Sequence, residues 1–358
     1  FLADYGIGGG LYFRRNLRSA RQVAALSNAL QEAAGANGIP LLIAVDQEGG
    51  VVARCTEAAG FSVPPAAMAY GALADVPSTR QAARETACEL RAVGINLNLA
   101  PVLDVHTNPD NAVIGVRSFG ADPRLVARLG AAQVAGYQED LLHTGVLATG
   151  KHFPGHGATT EDSHYELPVL DYALDRLEQV ELVPFRAAIA AGVGAIMTAH
   201  VAFPALEERG APLPATLSPA VLTGLLRRHL GYQGLIMTDC LEMAAIAARY
   251  SPGEAAVRAL QAGADLILFS HSRDRQLAAL EAVLAAVRAG RLTEERLDQS
   301  VRRVLQAKAR LGLLAHGGRV DPERAATRVG VPSRRRLFRQ HAARAVTVLE
   351  GSPLARQL

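Results

Sequence analysis

The chain has 358 residues, 49% of them hydrophobic and 20% charged, which suits one large globular α/β domain with a small extension. The formal net charge of +3 is too small to indicate nucleic-acid binding, and no block of Lys and Arg stands beside aromatic residues. No apolar run reaches the length of about 18 residues that a membrane-spanning helix needs, so the sequence predicts no membrane span.

The three cysteines, Cys55, Cys88 and Cys240, are odd in number and lack the spacing of a metal site. They favour a reducing compartment or inert buried thiols over a disulfide framework, and we expect a cytoplasmic protein. The chain begins with Phe rather than Met and has no signal-peptide pattern, so a trimmed, exported form stays open. The arginines at 334–336 and 339 form the main basic cluster, for which we expect a solvated helix face.

Strand-like apolar runs alternate along the chain with helical patterns. The seven runs fall at 8–13, 41–45, 95–103, 146–149, 195–199, 234–238 and 264–269. The helical patterns fall at 17–34, 76–93, 123–142, 173–191, 219–230, 253–262 and 293–313. Repetition of strand and helix at this spacing predicts a parallel sheet. Ser218 followed by Pro219 predicts a capped start for the helix at 219–230.

A closed barrel and an open, doubly wound sheet both satisfy this alternation. No Gly-x-Gly-x-x-Gly follows the first strand, so a dinucleotide-binding sheet would lack its phosphate loop. Active sites of (β/α)8 barrels are built at the carboxyl ends of several strands together. Charged or polar residues stand at that end of almost every predicted strand, which favours the barrel: Asp46, Asp104, Lys151, His200, Asp239 and Ser270.

The stretch from Lys151 to His164 combines charged, titratable and turn-forming residues directly after a buried strand. Lys151 and His152 stand at its start and Asp162 and His164 at its end. The Pro and Gly residues between them predict a turn that brings the two ends together. Such a loop on a rigid strand edge indicates an active site. The alternative is an ordinary loop whose His and Asp residues bond only to nearby backbone.

Lys-His-Phe-Pro-Gly-His-Gly followed by Asp-Ser-His resembles the motif of glycoside hydrolase family 3, in its β-N-acetylglucosaminidase branch (NagZ type). Further segments match this family in chain order: Asp-Gln-Glu-Gly-Gly with Arg54, residues 96–105, residues 111–120, residues 197–200 and the Thr-Asp-x-x-x-Met segment around Asp239. Val51 replaces the Arg that is common at its position. The resemblance runs from about residue 8 to about residue 314.

The resemblance implies a (β/α)8 catalytic barrel over residues 1–315. Family members usually carry one more strand ahead of the Gly-Gly-Gly segment at 8–10, so we expect this chain to lack the first strand. Residues 316–358 are then a short C-terminal extension. We expect a Gly/Pro/Arg-rich linker at 317–333, a helix near 334–346, and at 345–349 the remnant or start of the family's second α/β domain.

The resemblance also implies which residues carry the chemistry. Asp239 stands at the position of the nucleophile, with Glu242 as a competing carboxylate. His164 stands at the position of the acid/base, oriented by Asp162. A neighbouring carboxylate fixes an imidazole ring and supports its protonated form, which suits a side chain with a pKa of ~6.5 for proton transfer near neutral pH.

The residues implied to bind the sugar or line its pocket are Asp46, Arg54, Arg117, Lys151, His152 and His200. A carboxylate such as Asp46 accepts bonds from hydroxyl groups, and the planar guanidinium of Arg117 can hold two oxygens at once. For Arg54 the alternative is a structural ion pair with Asp46. Asp104 either pairs inside the protein or touches the sugar, and we expect His156 to stabilise the turn.

Together these matches imply a retaining exo-β-N-acetylglucosaminidase that needs no metal or cofactor. Its partner would be a small carbohydrate with terminal β-linked GlcNAc, on peptidoglycan fragments or chitin oligosaccharides, attacked by Asp239 and protonated by His164. Four alternatives stay open. They are a phosphorylase, because a neutral histidine does not repel phosphate; a broader β-glycosidase of the family; a zinc hydrolase using His152, His156, Asp162 and His164; and an inactive sugar-binding relic.

Overall fold

Seven parallel strands, hydrogen-bonded in chain order, form the centre of the fold. The computed structural model describes residues 2–35, 38–160, 162–163, 165–207 and 212–347. The sheet consists of β1 (Gly9–Tyr12), β2 (Leu42–Val45), β5 (Leu97–Asn98), β6 (Leu147–Phe153), β7 (Ala195–Thr198), β8 (Leu235–Cys240) and β9 (Leu266–Leu268). Between β2 and β5 the chain forms a small antiparallel hairpin of β3 (Gln47–Gly49) and β4 (Val52–Ala53).

Helices separate most of the strands. They are α1 (Leu2–Tyr5), α2 (Ala20–Gly35), α3 (Ala67–Leu73), α4 (Val76–Ala92), α5 (Pro123–Tyr137), α6 (Leu174–Gln179), α7 (Leu182–Ala190), α8 (Ala244–Ala247), α9 (Pro252–Ala262), α10 (Arg273–Arg288), α11 (Glu294–Arg310), α12 (Leu313–His316), α13 (Pro322–Arg328) and α14 (Pro332–Arg344). Short 3₁₀ segments cover Arg14–Asn16, Glu57–Ala59, Gly115–Arg117, Pro204–Leu206 and Ala215–Leu217, and Ala220–His229 is a π-helix. No helix within the described ranges is long and apolar enough to cross a membrane.

The sheet curls until its first and last strands come close. The Leu266 side chain of β9 lies 3.4 Å from where a Cβ would stand at Gly8, and the rings of Phe13 and His271, just beyond β1 and β9, are 5.2 Å apart. Apolar side chains from every strand meet in the interior: Leu11, Leu42, Ala44, Leu97, Leu99, Leu147, Ala195, Met197, Leu235, Met237, Leu266 and Leu268. The architecture is therefore a curled parallel α/β sheet with helices outside it.

The predicted strands were continuous apolar runs because both faces of this sheet are buried. In β2, Leu42 and Ala44 point into the curled interior, whereas Ile43 and Val45 belong to the layer packed against the outer helices. In the same outer layer, the ring of Phe185 from α7 packs edge to face on the ring of Phe153 from β6, with 5.1 Å between the ring centroids. The predicted cap is also confirmed, since Ser218 Oγ accepts the N–H of Val221 at 3.0 Å.

Several elements differ from the sequence expectation. The run at 95–103 contains only the two-residue strand β5, because Pro101 has no N–H and side-chain amides of Asn96 and Asn98 bond to the neighbouring backbone instead. The helix expected at 123–142 ends at Tyr137, and the pattern at 173–191 is two helices. Helix α10, capped by Ser272, was missed altogether.

The C-terminal region is more ordered than the expected linker. Asp321 caps α13 within residues 317–333 by accepting the N–H groups of Glu323 and Arg324. The expectation of a solvated basic face is wrong for Arg334, whose half-buried guanidinium lies 2.9 Å from both Glu85 and Glu89. Of the expected strand at 345–349, Ala345 instead caps helix α14, and residues 348–349 lie outside the described ranges.

Candidate active site

A cavity of about 720 Å³ lies at the carboxyl ends of the strands, as the polar strand-end residues predicted. Its polar wall is formed by Asp46, Glu48, Arg54, Arg117, Lys151, His152, His156, Ser163, Asp239, Cys240, Glu242, Ser270, His271 and Arg275. Leu11, Leu99, Met197 and Leu268 from the curled interior form part of its apolar lining. A cleft with converging polar groups over an apolar floor is the usual form of a small-molecule site.

Lys151 and His152 belong to strand β6 rather than to the loop that the sequence suggested. The pairing of β6 with β7 shifts register between Gly150 and Phe153. Both side chains line the cavity, although successive residues of a regular strand would point to opposite faces. A strand places these two groups more rigidly than a loop would.

Lys151 is part of a buried cluster of four charges. Its Nζ lies 2.8 Å from Asp46 Oδ1 and 2.6 Å from Glu48 Oε1. Arg117 grips the same Glu48 carboxylate with Nε at 2.8 Å and Nη2 at 2.9 Å, while its Nη1 donates to the Val113 carbonyl at 2.9 Å. Two cations and two carboxylates therefore balance one another inside the cavity wall.

The pKa values of this cluster follow from burial opposed by opposite charges. Burial raises the pKa of Glu48, but Lys151 and Arg117 outweigh it and lower that pKa to about 2. Burial likewise lowers the pKa of Lys151, and the two carboxylates raise it above its ordinary value. Glu48 and Lys151 are consequently held in their charged forms near neutral pH.

The Arg54 backbone N–H donates to the Asp46 carbonyl at 3.2 Å, but the Arg54 guanidinium lies beside the cluster without a hydrogen bond to it. Its Nη2 is 3.8 Å from Asp46 Oδ2, and one third of the side chain is exposed to the cavity. A separation of 3.8 Å is too long for a hydrogen bond. Arg54 is thus in loose contact with Asp46, which leaves both its expected sugar contact and its structural alternative open.

Asp104 pairs inside the protein. It is fully buried and accepts the Nδ1–H of His152 at 2.7 Å, together with the backbone N–H of His156 at 2.7 Å. Burial raises the pKa of Asp104, but His152 and the bonds it accepts from His152 and His156 lower it below its usual range. Because an ionised carboxylate can only accept, His152 donates to it from Nδ1, and its Nε2 is left for the cavity.

Asp239, at the end of β8, carries its carboxylate into the same cavity. Its Oδ1 accepts the N–H of Cys240 at 2.7 Å. Burial raises the pKa of Asp239, yet His200, His152, that N–H and Lys151 together hold it below its ordinary value. An ionised carboxylate among cationic and N–H groups is suited to nucleophilic attack.

The expectation that His200 lines the pocket is not met. Its Nδ1 lies 2.7 Å from Thr216 Oγ1 and its Nε2 lies 3.0 Å from the Cys240 carbonyl, so both nitrogens are engaged behind the cavity wall. His200 therefore influences the site through its charge, which lowers the pKa of Asp239, and through its contact with the backbone of β8.

Glu242, the competing carboxylate, is committed to the backbone. It accepts N–H groups of Ser270, His271 and Ser272 at 2.6, 2.7 and 3.0 Å. Burial raises the pKa of Glu242, but these bonds lower it below its usual value. The carboxylate ties the loop after β8 to the loop after β9, which disfavours it as a nucleophile.

The loop that follows β6 is described in part: Glu161 and His164 lie outside the described residues. Asp162 is half-buried, and Ser163 is buried and lines the cavity. The Ser163 carbonyl accepts the N–H of Ala245 at 3.3 Å, next to the loop that follows Asp239. This end of the loop consequently lies against the cavity.

His156 stabilises the turn, as expected. Its Nε2 lies 3.0 Å from Ser163 Oγ and its Nδ1 lies 2.9 Å from Thr159 Oγ1. Burial and the neighbouring His152 lower the pKa of His156 to about 4, so its ring is neutral at neutral pH. In the part of the chain that the structure describes, no three His, Cys, Asp or Glu side chains are grouped to hold a metal ion.

Sequence reasoning missed Glu48, although the motif Asp-Gln-Glu-Gly-Gly contains it. A signal was present in the charge balance. Arg117 and Lys151 were both assigned to one pocket, and Asp46 alone could not neutralise two buried cations. A second carboxylate was therefore required nearby, and Glu48 is two residues from Asp46.

Comparisons with known proteins agree with this geometry. The model of the glycosyl hydrolase family 3 N-terminal domain matches residues 1–307. The chain is 38% identical to "Beta-hexosaminidase A" of Pseudoalteromonas piscicida, over 97% of this chain and 60% of that protein. It is 39% identical to a "Beta-hexosaminidase" of Stenotrophomonas maltophilia, over 88% of this chain and 87% of that protein.

A solved structure is similar over nearly the whole chain. It is a glycoside hydrolase family 3 beta-N-acetylglucosaminidase from Paenibacillus sp. str. FPU-7, with a TM-score of 0.89 and 48% identity. The match covers 98% of this chain and 65% of that one. The chain thus spans less than two thirds of the Pseudoalteromonas and Paenibacillus proteins.

Proposed function

Because the chain belongs to glycosyl hydrolase family 3, we propose that it hydrolyses terminal β-linked N-acetylglucosamine from the non-reducing end of its substrates. The observation that carries the proposal is the single cavity in which an ionised Asp239 lies with Asp46, Lys151 and His152. The related proteins named as β-hexosaminidases and β-N-acetylglucosaminidase support the choice of sugar.

In this mechanism Asp239 attacks the anomeric carbon. A bond forms between its carboxylate oxygen and that carbon while the glycosidic C–O bond breaks, and His164 gives its proton to the departing oxygen. His164 then takes a proton from water, which attacks the same carbon and releases Asp239. Two inversions leave the configuration of the sugar unchanged.

The polar groups around Lys151 are suited to hold the hydroxyl groups of the sugar. An ammonium has three N–H groups, and the contacts of Lys151 with Asp46 and Glu48 leave one of them for a ligand. A guanidinium has five N–H groups, and the three bonds of Arg117 leave one each on Nη1 and Nη2. Asp46 Oδ2 would accept from a hydroxyl group, and His152 Nε2 would form a hydrogen bond with another.

The acid/base role of His164 rests on its place in the sequence, two residues after Asp162. The position of Ser163 supports it, since this residue between them lines the cavity and its backbone is bonded to Ala245, close to Asp239. Asp162 would accept the other ring N–H of His164 and hold the imidazole in place.

We also propose that the curled sheet is the (β/α)8-type barrel of the family, with residues 316–347 as an extension of it. The meeting of β1 and β9 and the shared interior support this. For natural substrates we propose peptidoglycan fragments and chitin oligosaccharides. For the compartment we propose the cytoplasm, where the free thiols of Cys55, Cys88 and Cys240 would stay reduced.

The test is hydrolysis of an aryl β-GlcNAc compared with the matching aryl β-glucoside. We expect turnover of the GlcNAc substrate and much slower turnover of the glucoside, with free GlcNAc as the product in phosphate buffer and in phosphate-free buffer alike. A sugar 1-phosphate that appears only with phosphate would instead identify a phosphorylase. Equal turnover of both glycosides would indicate a broader β-glycosidase, and no turnover of either would overturn the proposal.

A further inference from the structure

Glu48 sits on a backbone that is fixed on its N-terminal side. The side-chain amide of Gln47 donates to the Cys55 carbonyl at 3.0 Å and accepts the Cys55 N–H at 2.9 Å. The backbone N–H and C=O of Gln47 are both bonded to the Asn98 side chain at 3.0 Å. Gln47 is consequently held by both Cys55 and Asn98, and this fixes the direction of the backbone as it enters Glu48.

The backbone is equally constrained on the C-terminal side. Gly49 has a φ of 105°, and a Cβ there would stand 2.5 Å from the Pro65 carbonyl oxygen. Only glycine suits this conformation and this close contact. The Glu48 side chain, 6% exposed, therefore points in one direction from a rigid hairpin.

The Glu48 carboxylate joins cations from two separate parts of the chain. Lys151 comes from β6 and Arg117 from the 3₁₀ segment Gly115–Arg117. Oε1 contacts both Lys151 Nζ, at 2.6 Å, and Arg117 Nη2, at 2.9 Å, while Oε2 accepts Arg117 Nε at 2.8 Å. A single rigid group thereby sets the distance and orientation between two predicted sugar-binding residues.

Without this carboxylate the cluster would hold two buried cations and only Asp46 between them. Arg117 already acts to lower the pKa of Lys151, and burial acts the same way. Lys151 would lose part of its charge on raising the pH, and Asp46 would turn to the unpaired cations rather than to a ligand. The wall would contain the same sugar-binding residues in a different arrangement.

Resting on the proposed function, we propose that Glu48 is a positioning residue: its carboxylate aligns Lys151 and Arg117 toward the sugar and leaves Asp46 Oδ2 to accept a hydroxyl group. It does not itself contact the reacting atoms. Glu48 influences how tightly the non-reducing sugar binds. Its bidentate ion pair fixes the orientation of Arg117 more strictly than packing alone would.

The test uses Glu48→Gln, which keeps the shape of the side chain and removes its charge. Binding of GlcNAc to the full chain is measured by isothermal titration calorimetry from pH 6 to 10, alongside kcat and KM for an aryl β-GlcNAc. We expect affinity to fall by about 10²-fold, as for a displacement of binding groups by about 1 Å. We also expect the affinity for GlcNAc to decrease as the pH rises, and this decrease should begin at a lower pH in Glu48→Gln than in the wild type, because the substitution lowers the pKa of Lys151.

Glu89→Gln is the matched control. Glu89 is also a buried glutamate, which accepts the N–H groups of Ser62 and Gly330 and pairs with Arg334 away from the cavity. We expect it to lower the melting temperature while leaving GlcNAc affinity and its pH profile unchanged.

Glu48→Asp is the second variant, since it retains the charge but is one methylene too short to reach both cations. Its affinity should be intermediate and its pH profile close to that of the wild type.

The outcomes separate this inference from the function on which it rests. A folded Glu48→Gln protein with wild-type affinity and pH profile overturns the positioning role while the proposed function stands. If Glu48→Gln does not fold, Glu48→Asp decides: weakened affinity supports the role and wild-type affinity overturns it. A wild-type chain that neither binds GlcNAc nor cleaves its aryl glycoside overturns the proposed function and this inference with it.

Discussion

Two lysines stand among the 37 basic residues of the chain, and they are buried in opposite surroundings. Lys151 is 2% exposed at the carboxyl end of the strands, between the carboxylates of Asp46 and Glu48. Lys308 is 1% exposed in the last turn of α11, where its neighbour Ala307 joins the apolar interior of the sheet. Within the described part of the chain Lys308 has no ion-pair partner, and burial lowers its pKa to about 8.

The difference between the two lysines shows how burial alone changes the pKa of a cation and how neighbouring carboxylates change it further. At Lys308 burial acts alone, and the charged form costs free energy at neutral pH. At Lys151 two carboxylates reverse the sign of the shift, so the charge is kept and aimed at the cavity. We infer that the carboxyl end of the sheet is arranged to hold charges for a ligand, whereas the surroundings of Lys308 are arranged for packing.

The largest expected effect tests whether Asp239, at the carboxyl end of the sheet, is the nucleophile. Asp239→Ala should reduce kcat for an aryl β-GlcNAc by roughly 10⁴–10⁶-fold, the range seen when a hydrolase loses its nucleophile or the residue that supports it. The fold should remain intact by circular dichroism. Glu242→Gln is the control, and we expect it to lower stability but retain turnover. Substantial activity of Asp239→Ala without an added nucleophile would transfer the role to another carboxylate.

A second prediction separates proton transfer from packing at the same end. His164→Ala should slow the hydrolysis of a natural disaccharide by roughly 10²–10⁴-fold, because general acid catalysis matters most when the leaving oxygen is a strong base. An activated nitrophenyl glycoside should retain much of its rate of glycosylation. Asp162→Ala should give a milder form of this pattern. Equal losses for both substrates in an unstable protein would point to a structural role and make Glu161 the next carboxyl group to test.

The third prediction compares the two lysines directly. Lys151→Met should lower the free energy of unfolding by about 3–5 kcal/mol, because it removes the cation shared by the buried Glu48 and the half-buried Asp46. Lys308→Met should raise it by about 1–3 kcal/mol, because an apolar side chain of similar length replaces an unpaired buried cation. Urea unfolding at pH 7 measures both. A change of the same sign in the two variants would remove the distinction between the surroundings of the two lysines.

The smallest effect concerns pH. The pKa of Lys308 is lowered from 10.5 in the unfolded chain to about 8 in the folded one. Between these values the unfolded state binds more protons, so the free energy of unfolding contributed by this residue rises with pH across that window. Below about pH 8 its full cost is present. The stability gap between Lys308→Met and the wild type should consequently shrink from pH 8 to pH 10.5, and a constant gap would contradict the assignment.

Much of the sheet was predictable because each strand is buried on both faces and reads as an apolar run. The site was predictable where a polar residue ended such a run, as at Asp46, Lys151 and Asp239. His200 also ends a run but is engaged behind the wall by Thr216 and the Cys240 carbonyl, which periodicity cannot indicate. The strand-end pattern therefore identifies the edge of the sheet and not the direction of each side chain.

Contacts between distant segments could be anticipated at best from charge balance, as at Glu48, and not from local patterns. Glu48 and Arg117 are 69 residues apart, and Arg334 meets Glu89 across 245 residues, so neither pairing leaves a local pattern. Helix α10 was missed although the Ser272 cap and a run of helix-favouring Ala and Leu residues signal it locally.

The burial of both lysines has a consequence for chemical labelling. Amine-reactive esters attack neutral amines that they can reach, and the arginines that supply the exposed cations of this chain do not react with them. In the folded protein, Lys308 can be modified only when the last turn of α11 opens, and Lys151 only when its ion pairs part. The rates of acylation at these two positions, followed by mass spectrometry, would therefore report local opening at strand β6 and at helix α11 within a single sample.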